Sequence, residues 1–194
     1  MLAVTGYNSK IMEALRSLLP EEEEMIDACG CPNIEAADRL VLCAGLLYAK
    51  SLDEQCITEI HDTFRVNCIE PMQICDIVLR ANDKARIVVI GSESAYSGSY
   101  NEAYAAAKAA LHSFVETRKI GPDQQLVAVA PSIIGDASMT TRRTDLENLE
   151  RRRQEHPKKR FLKAAEVARL IHFLLYVDEG YLSGQVIRMN GGPA

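Results

Sequence analysis

Tryptophan is absent from the chain, and aromatic residues make up only 6% of it. Also missing is any apolar run near the ~20 residues that a membrane-spanning helix needs, so no membrane association is expected. Positive charge is not in surplus: 22 Lys and Arg against 27 Asp and Glu give a net −5, which argues against non-specific binding to nucleic acid or to an anionic membrane. The first strand candidate starts at Leu2, leaving no room for a leader peptide, and the expected location is cytoplasmic. Cys29 and Cys31 form a C-x-C pair with no second pair to complete a four-ligand zinc site, so no metal is expected. A structural disulfide is not expected in a cytosolic protein. Cys43, Cys56, Cys68 and Cys75 sit among apolar residues and read as small buried hydrophobes. His61, His112, His156 and His172 have no metal partner at i+4 and read as ordinary surface or core histidines. There is no internal repeat.

What is present is the mix of a soluble globular protein, 47% hydrophobic and 25% charged. The 194 residues suggest a single domain, large enough to bury a core without staples. Short β-rich runs alternate with helical periods. Strand candidates are 2–5, a weaker 24–28, 39–45, 85–92, 125–132 and 184–192. Helical stretches are 9–19, 52–80 (with a possible bend near Pro71), 100–120 and 164–176. A single helical turn at Ile34–Ala37 is all that fits between the second and third strands. The acidic run Glu21–Glu24 reads as a solvated turn. Alternation of this kind predicts an α/β fold: one doubly wound, Rossmann-like domain with a parallel sheet of about six strands and helices on both faces. Such sheets bind ligands beyond the carboxyl ends of their strands, which directs attention to Gly6, Gly45, Ser92 and Pro131.

Tyr104 and Lys108 lie one turn apart in the alanine-rich stretch "YNEAYAAAKAAL". An ammonium beside a phenol favours the phenolate, lowering a pKa that is ordinarily about 10 and preparing the group for proton transfer at an alcohol or carbonyl. The same spacing also occurs on solvent-facing helices with no function. Ser92, at the end of the buried run "IVVIG", reaches the same sheet edge, where its hydroxyl could hold a carbonyl oxygen. Asn67, an amide in mid-helix, suggests a buried hydrogen-bonding role.

The ordered set "VTGYNSKI" (4–11), "LVLCAG" (40–45), "RVN" (65–67), "IVVIGSESAYSG" (87–98), "YAAAK" (104–108), "VAVAPSIIG" (127–135), "AAEVARLIHFLL" (164–175) and "YLSGQVIRMNGG" (181–192) resembles the short-chain dehydrogenase/reductase family. The resemblance covers almost the whole chain. It implies an oxidoreductase that uses NAD or NADP to interconvert a carbonyl and a secondary alcohol. By this resemblance Tyr104 is the general acid/base and Lys108 lowers its pKa and bonds the nicotinamide ribose. Ser92 orients the substrate oxygen, and Asn67 anchors a proton-relay water. Cofactor contacts are implied at Thr5, Gly6, Asn8, Lys10, Ile11, Asp27, Ala44, Gly45, Tyr104, Lys108, Pro131 and Ile134. The family also implies a homodimer or homotetramer, with the helices of Asn67 and Tyr104 packing across the interface. Alternatives are a cofactor-poor binding or regulatory protein on the same scaffold, and an epimerase or lyase of the same family type.

Several positions depart from the family pattern. Lys10 and Met12 stand where the second and third glycines of the phosphate-binding turn belong. The stretch between the first strand and "LVLCAG" is short by about one βα unit. Cys43 replaces an asparagine, Ser132 replaces a glycine, and the Ser92–Tyr104 interval is one residue short. Asp27 could accept from a ribose hydroxyl, or be a surface turn residue. Asp136 could accept from the nicotinamide carboxamide. Residues 137–161, the expected substrate lid, hold eight basic and four acidic side chains, leaving fourteen basic and twenty-three acidic elsewhere. A basic lid over an acidic body could select an anionic substrate; the alternative is a solvated helix laced by i,i+4 ion pairs.

Overall fold

Six short Val-, Ile- and Leu-rich strands pair in parallel, as runs buried on both faces should. The computed structural model describes residues 1–28 and 33–192. The Cys29–Cys31 pair lies outside the described residues. The strands are β1 (Leu2–Thr5), β2 (Met25–Asp27), β3 (Arg39–Leu42), β4 (Arg86–Ile90), β5 (Gln125–Pro131) and β6 (Gln185–Met189). Their order is β2-β1-β3-β4-β5-β6, and every pair is parallel. The expected doubly wound sheet is therefore present, with its order reversing at β1. The family-like βα unit missing from the sequence leaves three-residue β2 as an edge strand. The link back to β3 contains one 3-10 turn, Ile34–Ala36.

The two faces of the sheet carry separate cores. Val4, Val41, Val88, Ile90 and Val127 point to one face, under α1 (Lys10–Arg16) and α8 (Ala164–His172). Ala3, Leu40, Leu42, Ile87 and Leu126 point to the other, under α3 (Glu70–Ala81) and α5 (Glu102–Thr117). Successive strand residues alternate between the two cores, so each strand is covered on both sides.

The long helical segment expected over 52–80 is divided. A 3-10 turn (Leu52–Glu54) precedes α2 (Ile57–Phe64), and a π-helical turn (Arg65–Ile69) joins α2 to α3. Pro71 explains the π turn: it lacks an N–H, and its ring crowds the carbonyl four residues back, that of Asn67, so the helix widens there. Two of the four described cysteines depart from expectation. Cys68 and Cys75 are buried, but Cys56 is exposed at the start of α2 and Cys43 is half-buried in a cleft. Residue 56 is the N-cap of α2 rather than a position within the helix, and its thiol lies 3.0 Å from Thr58 Oγ1. The acidic turn is solvated except at Glu23, which is 3.6 Å from both the terminal amine and Arg39.

Candidate functional site

The carboxyl end of β4 delivers Ser92 into a confined position. At Gly91 an added Cβ would lie 2.0 Å from Nε2 of His112, so only glycine leaves the ring its place. The Ser92 N–H donates to that Nε2 at 3.3 Å, and Ser92 Oγ accepts from the Ser94 N–H at 3.2 Å, which leaves the hydroxyl proton to donate elsewhere. The next residue, Glu93, is clamped by the Arg188 guanidinium of β6, with one contact at 3.0 Å and a second, shorter one through Nη2. Arg188 lies over the Tyr96 ring at 4.3 Å, and Tyr96 lies 5.3 Å from the His112 ring. The short interval to Tyr104 is taken up by a one-turn helix, α4 (Ser94–Ser97), and by Gly98 in a left-handed conformation (φ 78°).

Helix α5 brings the second group of residues. Fully buried Asn101 caps it: Oδ1 accepts from the Tyr104 N–H at 2.8 Å, while Nδ2 donates to the Tyr48 carbonyl at 3.0 Å. The i, i+4, i+8 spacing then stacks Tyr104, Lys108 and His112 on one face. Lys108 is buried, and Nζ donates to the Ile90 carbonyl at 2.8 Å. Two of its three N–H groups remain for other acceptors. Burial lowers the Lys108 pKa to about 8, opposed by the Cys43 and Cys68 thiols. Burial also lowers His112 to about 4, with the Lys108 charge adding to the effect, so the ring is neutral and accepts through Nε2. His112 Nδ1 is buried without a hydrogen-bond partner among the described residues.

The pKa of Tyr104 corrects an expectation. Burial raises it above the ordinary phenol value, and a hydrogen bond with Ser92 opposes the rise. Lys108 does not lower it here, because Nζ is 5.9 Å from the ring centroid and is engaged by Ile90. The phenol thus stays protonated and faces the serine hydroxyl rather than solvent.

These groups line one cleft of about 600 Å³ that runs from the start of α1 to segment 137–161. Of the residues singled out from sequence, Lys10, Ile11, Ala44, Gly45, Ser92, Tyr104, Lys108, Pro131 and Ile134 meet there. Thr5, Gly6, Asn8, Asp27 and Asn67 are not among its lining residues. Thr5 Oγ1 instead braces the turn after β3, accepting from the Cys43 and Ala44 N–H groups at 3.0 Å each. Gly6 (φ 66°) approaches the same turn, where a Cβ would be 3.0 Å from backbone atoms of Cys43 and Ala44. Asn8 and Asp27 are exposed. Asn67 staples the loop after β3: Nδ2 donates to Leu46 O at 2.7 Å and Thr63 O at 2.8 Å, and Oδ1 accepts from the Leu46 N–H at 3.2 Å. Both of its amide protons are thereby engaged. Asp136 is engaged through one oxygen, because Oδ1 accepts from the Ala164 N–H at 2.9 Å at the start of α8.

At the other end, the two glycine substitutions have local explanations. Lys10 Nζ pairs with Glu13 at 2.7 Å on the exposed start of α1. Met12 is fully buried between α1 and the sheet. The residues fit a dinucleotide best at its nicotinamide and ribose half, where Lys108 presents spare buried donors. Sequence reading missed His112 and His156. The first was legible, since it continues the Tyr104–Lys108 face by one more turn. His156 carried no comparable signal. It lies half-buried on the cleft wall, with Nε2 3.5 Å from Ser132 Oγ.

Known proteins resemble this chain in sequence and in fold. A family model described as enoyl-(acyl carrier protein) reductase matches residues 31–193. The chain is 26% identical over 177 residues to a vibriobactin-specific 2,3-dihydro-2,3-dihydroxybenzoate dehydrogenase of Vibrio cholerae, covering 82% of this chain and 67% of that one. It is 29% identical over 166 residues to a 3-oxoacyl-(acyl-carrier-protein) reductase of Aquifex aeolicus, covering 82% and 66%. The chain thus spans about two thirds of the length of these relatives. Among solved structures, a glucose/ribitol-type short-chain dehydrogenase from Brucella melitensis aligns with a TM-score of 0.80 at 26% identity, over 98% of this chain and 95% of that one. An actinorhodin polyketide ketoreductase crystallised with NADPH shares the fold, with a TM-score of 0.80 at 20% identity over 98% and 96%.

Proposed function

The chain belongs to the short-chain dehydrogenase/reductase family, and from that premise we propose that it reduces a small-molecule carbonyl to a secondary alcohol, or runs the reverse, with NAD(P) and with Tyr104 as the acid/base. The carrying observation is the half-buried Tyr104 phenol sharing the cleft wall with Ser92, one turn from buried Lys108. When bound, the reduced nicotinamide supplies a hydride to the carbonyl carbon. Ser92 donates its hydroxyl proton in a hydrogen bond to the substrate oxygen and fixes its position. Tyr104, kept protonated by burial, gives its proton to that oxygen as negative charge develops there. Lys108 offers its two spare N–H groups to the cofactor's ribose hydroxyls and stands as the nearest cation to the phenolate left behind.

Residues 137–161 act as the lid over this cleft in the proposed reading. They contain α6 (Ser138–Thr141) and α7 (Leu146–Glu155), and Met139, Arg143 and Phe161 line the cleft. A homodimer or homotetramer pairing α2–α3 and α5 is part of the same reading, supported by exposed Ile57, Ile69 and Ile77. Among the described residues no helix is long and apolar enough to cross a membrane.

The test is a thermal-shift and turnover pair. NADPH or NADH at a concentration 100-fold above Kd should add about 2.7 kcal/mol to folding stability and raise the Tm accordingly. Tyr104→Phe should keep that shift while turnover on a ketone panel falls by roughly 10²–10⁴-fold. No shift with any nicotinamide cofactor would favour the cofactor-poor binding protein, a reading motivated by Lys10 and Met12. Unchanged turnover in Tyr104→Phe would overturn the acid/base assignment.

A further inference from the structure

Most of the basic residues of 137–161 are engaged by the protein itself. Arg143 pairs with Asp145, Arg153 with Glu150 and Arg160 with Glu166. Arg151 donates to Asn148 at 2.8 Å, and Lys159 to the Gln154 carbonyl at 2.6 Å. This much is the solvated, ion-paired arrangement that the charge pattern allowed. Arg142, Arg152 and Lys158 have side chains with no hydrogen bond or ion pair among the described residues, and of these three only Arg152 lines the main cleft.

The placement of Arg152 follows from helix α7. Leu149 is its one buried residue, and positions 152 and 156 follow at i+3 and i+7, so the same inner stripe carries Arg152 and His156 toward the cleft. His156 is seated from two sides. Its Nδ1 accepts from the Lys158 N–H at 3.1 Å, which leaves the proton on Nε2, facing Ser132 Oγ at 3.5 Å. It also packs on Gly191, where a Cβ would come within 2.6 Å of the ring. Ser132 is the residue that replaces the family-like glycine after Pro131. With Nε2–H directed at its oxygen, its own proton is free to donate into the cleft. Glu155 lies on the same wall but makes no ion pair with Arg152. Arg152 and His156 are four residues apart on one face and His156 faces Ser132, so an unpaired guanidinium and a directed hydroxyl line the same cleft.

We propose that this lid end is an anion subsite, in which Arg152 and the Ser132 hydroxyl bind an oxyanion group, a carboxylate or a phosphate, carried by the carbonyl substrate. The proposal rests on the reading of the cleft as a carbonyl-reducing site and adds the substrate's charge class to it. A planar guanidinium meets either oxyanion through two parallel hydrogen bonds, and Arg152 is exposed and unpaired, so no ion pair has to break for it to do so.

The experiment compares a charged and a neutral probe of one skeleton, acetoacetate and ethyl acetoacetate, titrated calorimetrically into the protein with and without NADP⁺. The acid should bind at least about tenfold more tightly than the ester in the wild type, with a ratio near one in Arg152→Gln and an intermediate ratio in Arg152→Lys. Inorganic phosphate that competes with the acid but not with the ester would extend the class to phosphorylated substrates. Equal affinities in the wild type, no detectable binding of acetoacetate, or an unaltered ratio in Arg152→Gln would overturn the subsite. NADPH binding, followed by nicotinamide fluorescence in the same samples, separates the two readings. A charge preference that persists while NADPH fails to bind upholds the subsite and overturns the oxidoreductase.

Discussion

At the reaction end of the cleft, Ser92 is held by His112 through its N–H, by Ser94 through its Oγ, and by the Arg188 clamp on its neighbour Glu93. At the nucleotide end, the turn into α1 carries an exposed Lys10 paired to Glu13, and among the described residues β2 is a three-residue edge strand. The two ends obey different tolerances. Proton transfer needs donor and acceptor within hydrogen-bond reach, and a misplacement of about 1 Å can cost roughly 100-fold in rate. Dinucleotide affinity is a sum over many contacts, and a lost contact lowers it without stopping the chemistry. In the proposed reading, a chain can therefore shed part of its adenosine pocket and still react, provided the serine, tyrosine and lysine stay in register.

The largest expected effect comes from the residue that takes over the third glycine position. Met12 is fully buried in the core between α1 and α8. Met12→Ala should cost about 2–5 kcal/mol, and for a domain of this size the Tm should fall on the order of 10 °C. Thermal or urea unfolding measures it. A neutral result would mean that the position is spare space, as in a glycine-bearing relative, and the contrast between the two ends would lose its structural basis.

A somewhat smaller effect probes the reaction end. Burial holds His112 near pKa 4 against an ordinary 6.5. Between those values the unfolded ring binds a proton and the folded ring does not, so stability falls as pH drops through the window, by on the order of 3 kcal/mol in full. His112→Gln keeps an acceptor for the Ser92 N–H but cannot be protonated. It should lose less stability than the wild type between pH 7 and pH 4.5, as read from urea midpoints. Equal acid losses in the two proteins would show that the neutral ring is not what supports Ser92.

How much of this was legible in the sequence follows from the kind of signal involved. The sheet was read well because Val/Ile runs such as "IVVI" and their alternation with helices are local patterns. The cleft's reaction end was read because Ser92, Tyr104 and Lys108 sit at fixed offsets from strand and helix ends. Boundaries were less visible: nothing local announces that Pro71 widens the preceding turn at Asn67. The direction of the Tyr104 pKa shift was not visible for a similar reason. Spacing brings Lys108 to the right face, but the Ile90 carbonyl that engages Nζ belongs to β4, eighteen residues away. Which arginine of α7 is unpaired and lines the cleft was likewise invisible, since Arg151, Arg152 and Arg153 are equivalent in composition and differ only in the face of α7 they occupy.

The smallest effect tests the nucleotide end where it is barest. Lys10 and Glu13 have side chains 54% and 63% exposed, and a solvent-screened pair of this kind contributes little to stability. Lys10→Ser should therefore move the Tm by no more than roughly 1–2 °C. Glu13 already neutralises the ammonium at 2.7 Å, and the Asp136 carboxylate also holds it in its charged form. Removing it should change NADH and NADPH affinities alike, each by less than about threefold, or about 0.7 kcal/mol. Fluorescence titration of the two reduced cofactors measures both. A loss above about tenfold confined to NADPH would mean that Lys10 leaves Glu13 for a phosphate when the dinucleotide arrives. The nucleotide end would then be a site with its own charge selectivity, assembled on binding, and the contrast with the pre-formed reaction end would become one of timing rather than of completeness.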